Sequence, residues 1–289
     1  MGQRFDTLSF LSDLGVVDEH VGVVKAIVRD LAPQVQVVDL SHNIAVGDVR
    51  GGSLALARAV GYLPAGVVLA VVAAEERQAI AIEVAGGKGV LLGPDNGLLA
   101  SAAAMAGGAE RAVVLDRTEF HLASPGAVQS VRDVYAPIAA RLCNGSDLTD
   151  LGRLVDADTL LPGVVPLPRP VADGGAAIHA EVLWVDHQGN CQLNIGLDDV
   201  SPWGLTEGTH LQVVVRDCTR SVERVARPSI LGPGAVGLML DGCGLLSLVL
   251  DHRSAAEELS LAASDQLIVQ PLTEGSVGGG VTMPVNLRR

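Results

Sequence analysis

Apolar and polar positions follow two different rhythms along this chain. In the first half, residues 7–11 form an apolar run of strand length, and the spacing of Val21, Val24, Val28 and Leu31 predicts a helix from about Asp18 with one buried face. VQVVDL (35–40) predicts the next strand, and a helix follows from about Asp48. GVVLAVVA (66–73), AIAIEV (79–84) and GVLLGP (89–94) read as buried strands. The Ala-rich NGLLASAAAMAG (96–107) predicts a helix ended by glycine, and RAVVL (111–115) predicts another strand. Continuous aliphatic strands separated by helices imply an α/β fold with a largely parallel sheet covered on both faces.

The stretch LPGVVPLPRPVADGG (161–175) is too rich in proline and glycine for a helix or a central strand. It predicts a linker between an N-terminal α/β domain, 1–165, and a second domain, 176–289. Beyond it, AIHAEVLWVD, HLQVVVRD, AVGLMLDG, LLSLVL and QLIVQPL are short runs punctuated by Gly and Pro, the pattern of a small β-domain, sandwich or barrel. The Gly-rich tail 273–289 is expected to be mobile.

Composition narrows the function classes. Of 289 residues 48% are hydrophobic but only 2% aromatic, so aliphatic side chains fill the core and few rings are left to stack on bases. A formal net charge of -13 with no basic cluster argues against nucleic acid and anionic membrane surfaces as partners. Cys143, Cys191, Cys218 and Cys243 are scattered, without metal-site spacing, which predicts reduced thiols, no structural metal and a cytoplasmic location. No apolar run has the length of a signal peptide or a membrane span.

Candidate chemistry lies at junctions between elements. Ligands of open α/β sheets bind beyond the carboxyl ends of strands. Asp13, in LSDLG, ends the first strand and suits a diol. Asp18 suits either a ligand ammonium or, more commonly for such a position, the N-cap of the following helix. GPDNG (93–97) is a second junction, with Asp95 or Asn96 as helix cap, turn residue or ligand contact. VDHQGNCQLNI (185–195) places Asp186, Asn190 and Asn194 between strands of the second domain, where hairpin-turn chemistry also accounts for Gly189 and Asn190.

SDLGVVD with VGVVKAIV, VVDLSHNI, GPDNGLL, RDVYAPIAARL and VDHQGNCQLNI, in this order, resemble the S-adenosylmethionine hydroxide adenosyltransferases, relatives of fluorinase and chlorinase, over about residues 7 to 250. The resemblance implies an α/β domain joined to a β-barrel-like domain, and a homotrimer with sites between subunits. It also implies a nucleoside substrate with no separate cofactor. By it, Asp13 holds the ribose hydroxyls, Asp18 and Asp186 the methionine ammonium, and Asn190 the adenine. The reaction it implies is displacement of methionine from ribose C5′ by water, giving adenosine.

The pattern departs from that of the hydrolases where water is handled. Their VVDPGVG loop, the Arg that follows it and their HGRD motif correspond here to VVAAEERQAIA and SVRD. Ala73 replaces the Asp, Arg77 matches the Arg, and Ser130 replaces the His, while Arg132 and Asp133 remain. Glu75, beside Glu76 in the rewritten loop, is a candidate substitute base with Arg77 as its partner. Gly47 stands where fluorinase has a Trp, and Gly242 and Cys243 replace a Ser-Arg pair. His42, in LSHNI, is expected as scaffold. Two further expectations compete with hydrolysis: a catalytically silent nucleoside-binding protein, and a halogenase, which the Val131 at the halide position opposes.

Overall fold

The computed structural model describes residues 4–72, 77–171 and 176–272, so Glu75, Glu76 and the 273–289 tail lie outside the described residues. The chain divides into two compact units, Met1–Val165 and Pro166–Arg289.

The first unit runs β1 (Thr7–Ser12), α1 (His20–Leu31), β2 (Gln36–Ser41), α2 (Val49–Val60), β3 (Gly66–Val71), β4 (Ala79–Val84), β5 (Gly89–Pro94), α3 (Ala100–Met105), β6 (Ala109–Val114), α4 (Ala136–Cys143), α5 (Leu148–Leu151) and β7 (Arg153–Val155). Its sheet has the order β2-β1-β3-β5-β4-β6-β7. Alternate residues Leu8 and Phe10, Val67, Leu69 and Val71, and Val90 and Leu92 join Val21, Val24 and Val28 of α1 and Ile138 and Ala139 of α4 in one core. On the opposite face α2 packs with α3, and a side chain at Gly52 would come within 2.9 Å of both Leu98 and Val72. With both faces covered, the strands have no wet side, which explains their unbroken aliphatic runs.

Pairing is parallel from β2 through β5, then antiparallel to the edge. Thus β4 and β7 oppose the other five strands. The four residues between β4 and β5 are too few for a crossover, so these two apolar runs form a hairpin, with Ala85, Gly86 and Gly87 at positive φ. The edge strand β2 is only partly buried.

The second unit contains β8 (Arg169–Pro170), β9 (Ile178–Val185), β10 (Cys191–Gly196), β11 (His210–Val215), β12 (Cys218–Val225), β13 (Val236–Leu240), β14 (Leu245–Val249), α6 (Ala255–Leu259) and β15 (Gln266–Pro271). The order β10-β14-β13-β12-β11-β15-β9, closed by β9–β10 pairing, is a seven-stranded barrel with β8 added outside β9. Its interior is filled by alternate residues such as Leu193, Ile195, Leu211, Val213, Leu246 and Leu248. Closure removes the sheet edges that so short a set of strands would otherwise expose.

Two strands escape the apolar pattern. In β10 the buried amides of Gln192 and Asn194 interrupt the run, and tertiary partners satisfy them: Gln192 Nε2 donates to Asp241 Oδ2 at 2.6 Å, and Asn194 Oδ1 accepts from Glu181 N at 2.8 Å. Asn194 therefore lies within a strand, not between strands. β12 is mostly exposed over its first half, so it carries no apolar signature. All four cysteines are free, Cys143 and Cys191 buried and pushed up to about 12 by desolvation.

Candidate active site

In the first unit the chain leaves β1 through α1 to β2 on one side, then returns through α2 to β3 on the other side of β1. The carboxyl ends of β1 and β3 thus form a topological switch point, the usual crevice of an open α/β sheet. Asp13 is the first residue beyond β1 there, half-buried. Its amide donates to Val71 O at 3.2 Å, and its Oδ2 accepts from Gly47 N at 2.9 Å. Gly47 has φ +74°, a conformation that favours glycine and turns its N–H toward the carboxylate.

The residue before Asp13 starts a chain of polar contacts that runs from the interior to the surface. Ser12 is 0% exposed and lies 2.8 Å from Nδ1 of His42, which is 6% exposed. His42 Nε2 lies 3.0 Å from Asp39 Oδ1, and Lys25 Nζ donates to Asp39 Oδ2 at 2.6 Å. A carboxylate only accepts, so Nε2 carries a proton toward Asp39, and in the neutral ring the Ser12 hydroxyl donates to Nδ1. Burial alone pushes the Asp39 carboxyl up, yet the hydrogen bonds from Lys25 and His42 leave it below its ordinary value. The sequence Ser-His-Asp resembles a hydrolytic triad, but a fully buried hydroxyl committed to the imidazole has no access to a substrate. The chain instead anchors the Asp13 loop: Leu14 N donates to Ser12 Oγ at 3.4 Å and Gly15 N to His42 O at 2.8 Å. The scaffold role expected of His42 agrees with this geometry, while Ser12 and Lys25 gave no signal in sequence because their partners lie 30 and 14 residues away in the chain.

The helix cap expected at Asp18 does not form. α1 begins at His20 after Glu19, which makes no side-chain cap bond, and Asp18 is exposed, one residue too early to reach the first free amides. At the second junction, α3 begins at Ala100, so neither Asp95 nor Asn96 caps it. Asp95 Oδ1 accepts from Leu161 N at 2.8 Å. Asn96 Nδ2 donates to Val72 O at 2.8 Å, and its Oδ1 accepts from Leu98 N at 3.2 Å, a local Asx turn that ties the end of β5 to the end of β3.

Ser130 is exposed and opens a π-helical turn, Val131–Tyr135, that runs into α4. Arg132 forks onto its neighbour, Nε to Asp133 Oδ1 at 2.6 Å and Nη2 to Oδ2 at 2.9 Å, and also reaches Ser124 Oγ at 3.2 Å. Asp133 is 1% exposed and also accepts from Gln129 N at 2.8 Å. The Arg132 bond holds the Asp133 carboxyl below its ordinary range, against burial. This pair shapes the 124–133 loop, so its oxygens are already committed within the protein. Ser130, Arg132, Leu14, Glu19 and His20 line a cavity of about 240 Å³ that begins one residue from Asp13. Arg77 is exposed at the start of the described chain after residue 76.

The sequence model of the SAM hydroxide adenosyltransferase N-terminal domain matches residues 8–152, and the switch-point geometry falls within that span. The chain is 38% identical over 268 residues to a protein of Salinispora tropica named (R)-S-adenosyl-L-methionine hydrolase, covering 91% of this chain and 97% of that one. The chain belongs to the SAM hydroxide adenosyltransferase family. A Thermus thermophilus protein of the same name is 36% identical, covering 87% and 94%, whereas a fluorinase of an Actinoplanes species is 25% identical, covering 89% and 94%. A solved structure of a conserved protein from Thermotoga maritima superposes with a TM-score of 0.79 at 25% identity, over 91% of this chain and 99% of that one.

The remaining SAM hydroxide adenosyltransferase motif lies in the second unit, on the β9–β10 turn. Asp186 Oδ1 accepts from Gln188 N at 2.8 Å and Asn190 N at 2.9 Å, and its Oδ2 accepts from Asn190 Nδ2 at 2.8 Å. Gly189, at φ +82°, lets the turn meet α6: its carbonyl accepts from Ala256 N at 2.9 Å, and a Cβ there would lie 2.1 Å from Ser254 Oγ. Asn190 lines a cavity of about 550 Å³ with Asp251 and Arg253, whose guanidinium donates to Glu258 Oε2 at 2.7 Å. The hairpin-turn interpretation thus accounts for the present bonds of Asp186 and Asn190. Within the first unit Leu14, which follows Asp13 in the chain, lines the cavity that Ser130 also lines, while Asp186 and Asn190 belong to the barrel. Among the described residues no group of three or more His, Cys, Asp or Glu side chains could hold a metal ion. No helix among them is long and apolar enough to cross a membrane.

Proposed function

We propose that this protein is an S-adenosylmethionine hydrolase. The observation that carries the assignment is the Asp13 carboxylate, fixed at the switch point by the Gly47 amide, where it suits the paired hydroxyls of a ribose. Its similarity to two proteins named hydrolases supports the choice of water over a halide. Water attacks ribose C5′, the C–S bond breaks, methionine leaves as a neutral thioether with the electron pair, and the water loses one proton to give adenosine. Because the sulfonium is already a good leaving group, the protein's main tasks are to orient and to desolvate.

In this assignment Asp18 and Asp186 meet the methionine ammonium, Asn190 meets adenine, and Arg77 lies beside the attacking oxygen. These residues come from both units, so we assign the working site to a homotrimer in which one subunit's α/β unit faces a neighbour's barrel. SAM is substrate, and the assignment includes neither metal nor separate cofactor. We place the protein in the cytoplasm. The exposure of Arg77 favours one competing assignment, nucleoside binding without turnover.

Incubation with SAM in oxygen-18 water separates the two. Hydrolysis gives adenosine labelled at the 5′ oxygen, in wild type and not in Asp13→Asn. Loss of the charged acceptor should also weaken adenosine binding by about 1.5 to 3 kcal/mol, measured by calorimetry. Labelled adenosine at wild-type rate from Asp13→Asn overturns the role of Asp13, and unconverted SAM from folded wild type overturns the hydrolase.

A further inference from the structure

The connection from β3 to β4 crosses the end of another strand. The sheet order runs β1-β3-β5-β4, with β5 parallel to β3 and antiparallel to β4, so a chain leaving β3 must pass the carboxyl end of β5 to enter β4 at Ala79. Asp95 and Asn96, the polar pair of GPDNG, stand at that end and reach to both sides. Asn96 Nδ2 donates to Val72 O at 2.8 Å, and the Asp95 amide donates to Gln78 O at 2.9 Å. Val72 is 0% exposed, so its carbonyl is shut off from bulk water and takes its hydrogen bond from Asn96. The pair is itself braced: Asn96 Oδ1 accepts from Leu98 N at 3.2 Å, and Asp95 Oδ1 accepts from Leu161 N at 2.8 Å.

Two strand spacings amount to about 10 Å, whereas the chain from Val72 to Gln78 reaches up to about 20 Å when extended. Length therefore leaves the course of the connection open, and the two bonds fix where it departs and where it lands. Arg77 is the residue before the landing point. We propose that Asn96 and Asp95 are positioning residues for hydrolysis: by seating both ends of this connection they set the place of Arg77. This rests on the hydrolase assignment above, which puts Arg77 beside the attacking oxygen. In this role neither residue touches substrate; Asn96 acts through Val72 and the Asp95 N–H through Gln78. An in-line displacement needs the arriving oxygen, C5′ and sulfur collinear, so misplacing by about 1 Å a group that holds that oxygen costs about 10²-fold in rate. Ground-state binding draws instead on Asp13, whose bonds to Val71 O and Gly47 N do not involve the pair.

Steady-state kinetics with SAM test this on two variants that keep the turn but not the bond to Val72. Asn96→Asp still accepts from Leu98 N but, when ionised, cannot donate; Asn96→Ser keeps a hydroxyl acceptor on a side chain too short to reach Val72. At pH 8 each should lower kcat by about 10- to 100-fold with KM changed less than about threefold, and adenosine affinity by calorimetry should stay at the wild-type value. A protonated carboxyl donates, so the kcat of Asn96→Asp relative to wild type should climb as pH falls from about 8 to about 5, and that of Asn96→Ser should not. Wild-type kcat at pH 8 in either variant overturns the proposal. So does an Asn96→Asp deficit that ignores pH, a loss confined to KM, or a fall in kcat no larger than the unfolded fraction seen by circular dichroism. Wild-type kcat in Arg77→Ala overturns it as well, because the connection then carries nothing to position. If wild type releases no adenosine, the hydrolase assignment fails and this one with it; if wild type and both Asn96 variants turn over equally, this one fails alone.

Discussion

Replacing His42 by Phe removes the centre of the polar chain behind Asp13 while keeping ring volume and the edge contact with Phe10, whose centroid is 4.6 Å away. No cavity term therefore enters. The Ser12 hydroxyl, 0% exposed, loses its acceptor, which costs about 1–3 kcal/mol for a buried unsatisfied group. Asp39 loses one donor, but its side chain is 44% exposed and still holds Lys25, so that loss is screened to below about 1 kcal/mol. The total is about 1–4 kcal/mol, or about 2–16 °C in Tm if a unit of this size melts cooperatively. Ser12→Ala alone should cost about 1–2 kcal/mol, because His42 Nδ1 is left without a donor. In the double variant neither polar partner remains, so it should be more stable than the sum of the single losses by about 1–2 kcal/mol. Calorimetry and urea denaturation followed by circular dichroism measure all three. Additive losses, or a His42→Phe protein within about 0.5 kcal/mol of wild type, would refute the anchoring chain.

Two further outcomes test other parts of the structure. Gly189→Ala places a side chain at φ +82° and against Ser254, which caps α6 by accepting from Glu257 N, so the barrel should lose about 2–4 kcal/mol. Both tryptophans, Trp184 and Trp203, lie in that unit, and their fluorescence in urea reports its unfolding directly; an unchanged midpoint contradicts the close approach. Asp147 lies at about 2, held down by the hydroxyl and amide of Thr149 and by Arg111, against burial. Because its folded value is depressed, its contribution is complete above about 4 and is lost as pH falls toward about 2. Asp147→Asn should flatten the stability–pH curve in that window, and an unaltered slope removes Asp147 as its source.

Sequence alone determined the alternation of strand and helix in the first unit, the predominantly β second unit and the carboxylate at the end of β1. Each follows from local physics: a buried face imposes a period of 2 or 3.6 on the chain, and a polar residue after an aliphatic run marks where that run can leave the core. The ordered motifs also carried the family. Tertiary structure decided what local physics leaves open. The strand hidden by Gln192 and Asn194, and the engagement of Asp95 with Leu161 and of Asn96 with Val72 in place of a helix cap, depend on partners elsewhere in the fold. The same is true of the site: Ser12 meets His42 at a separation of 30 residues, and His20 meets Ser130 across a cavity. Such meetings are created by sheet order and helix packing, which bring together side chains whose spacing along the chain has no period to detect.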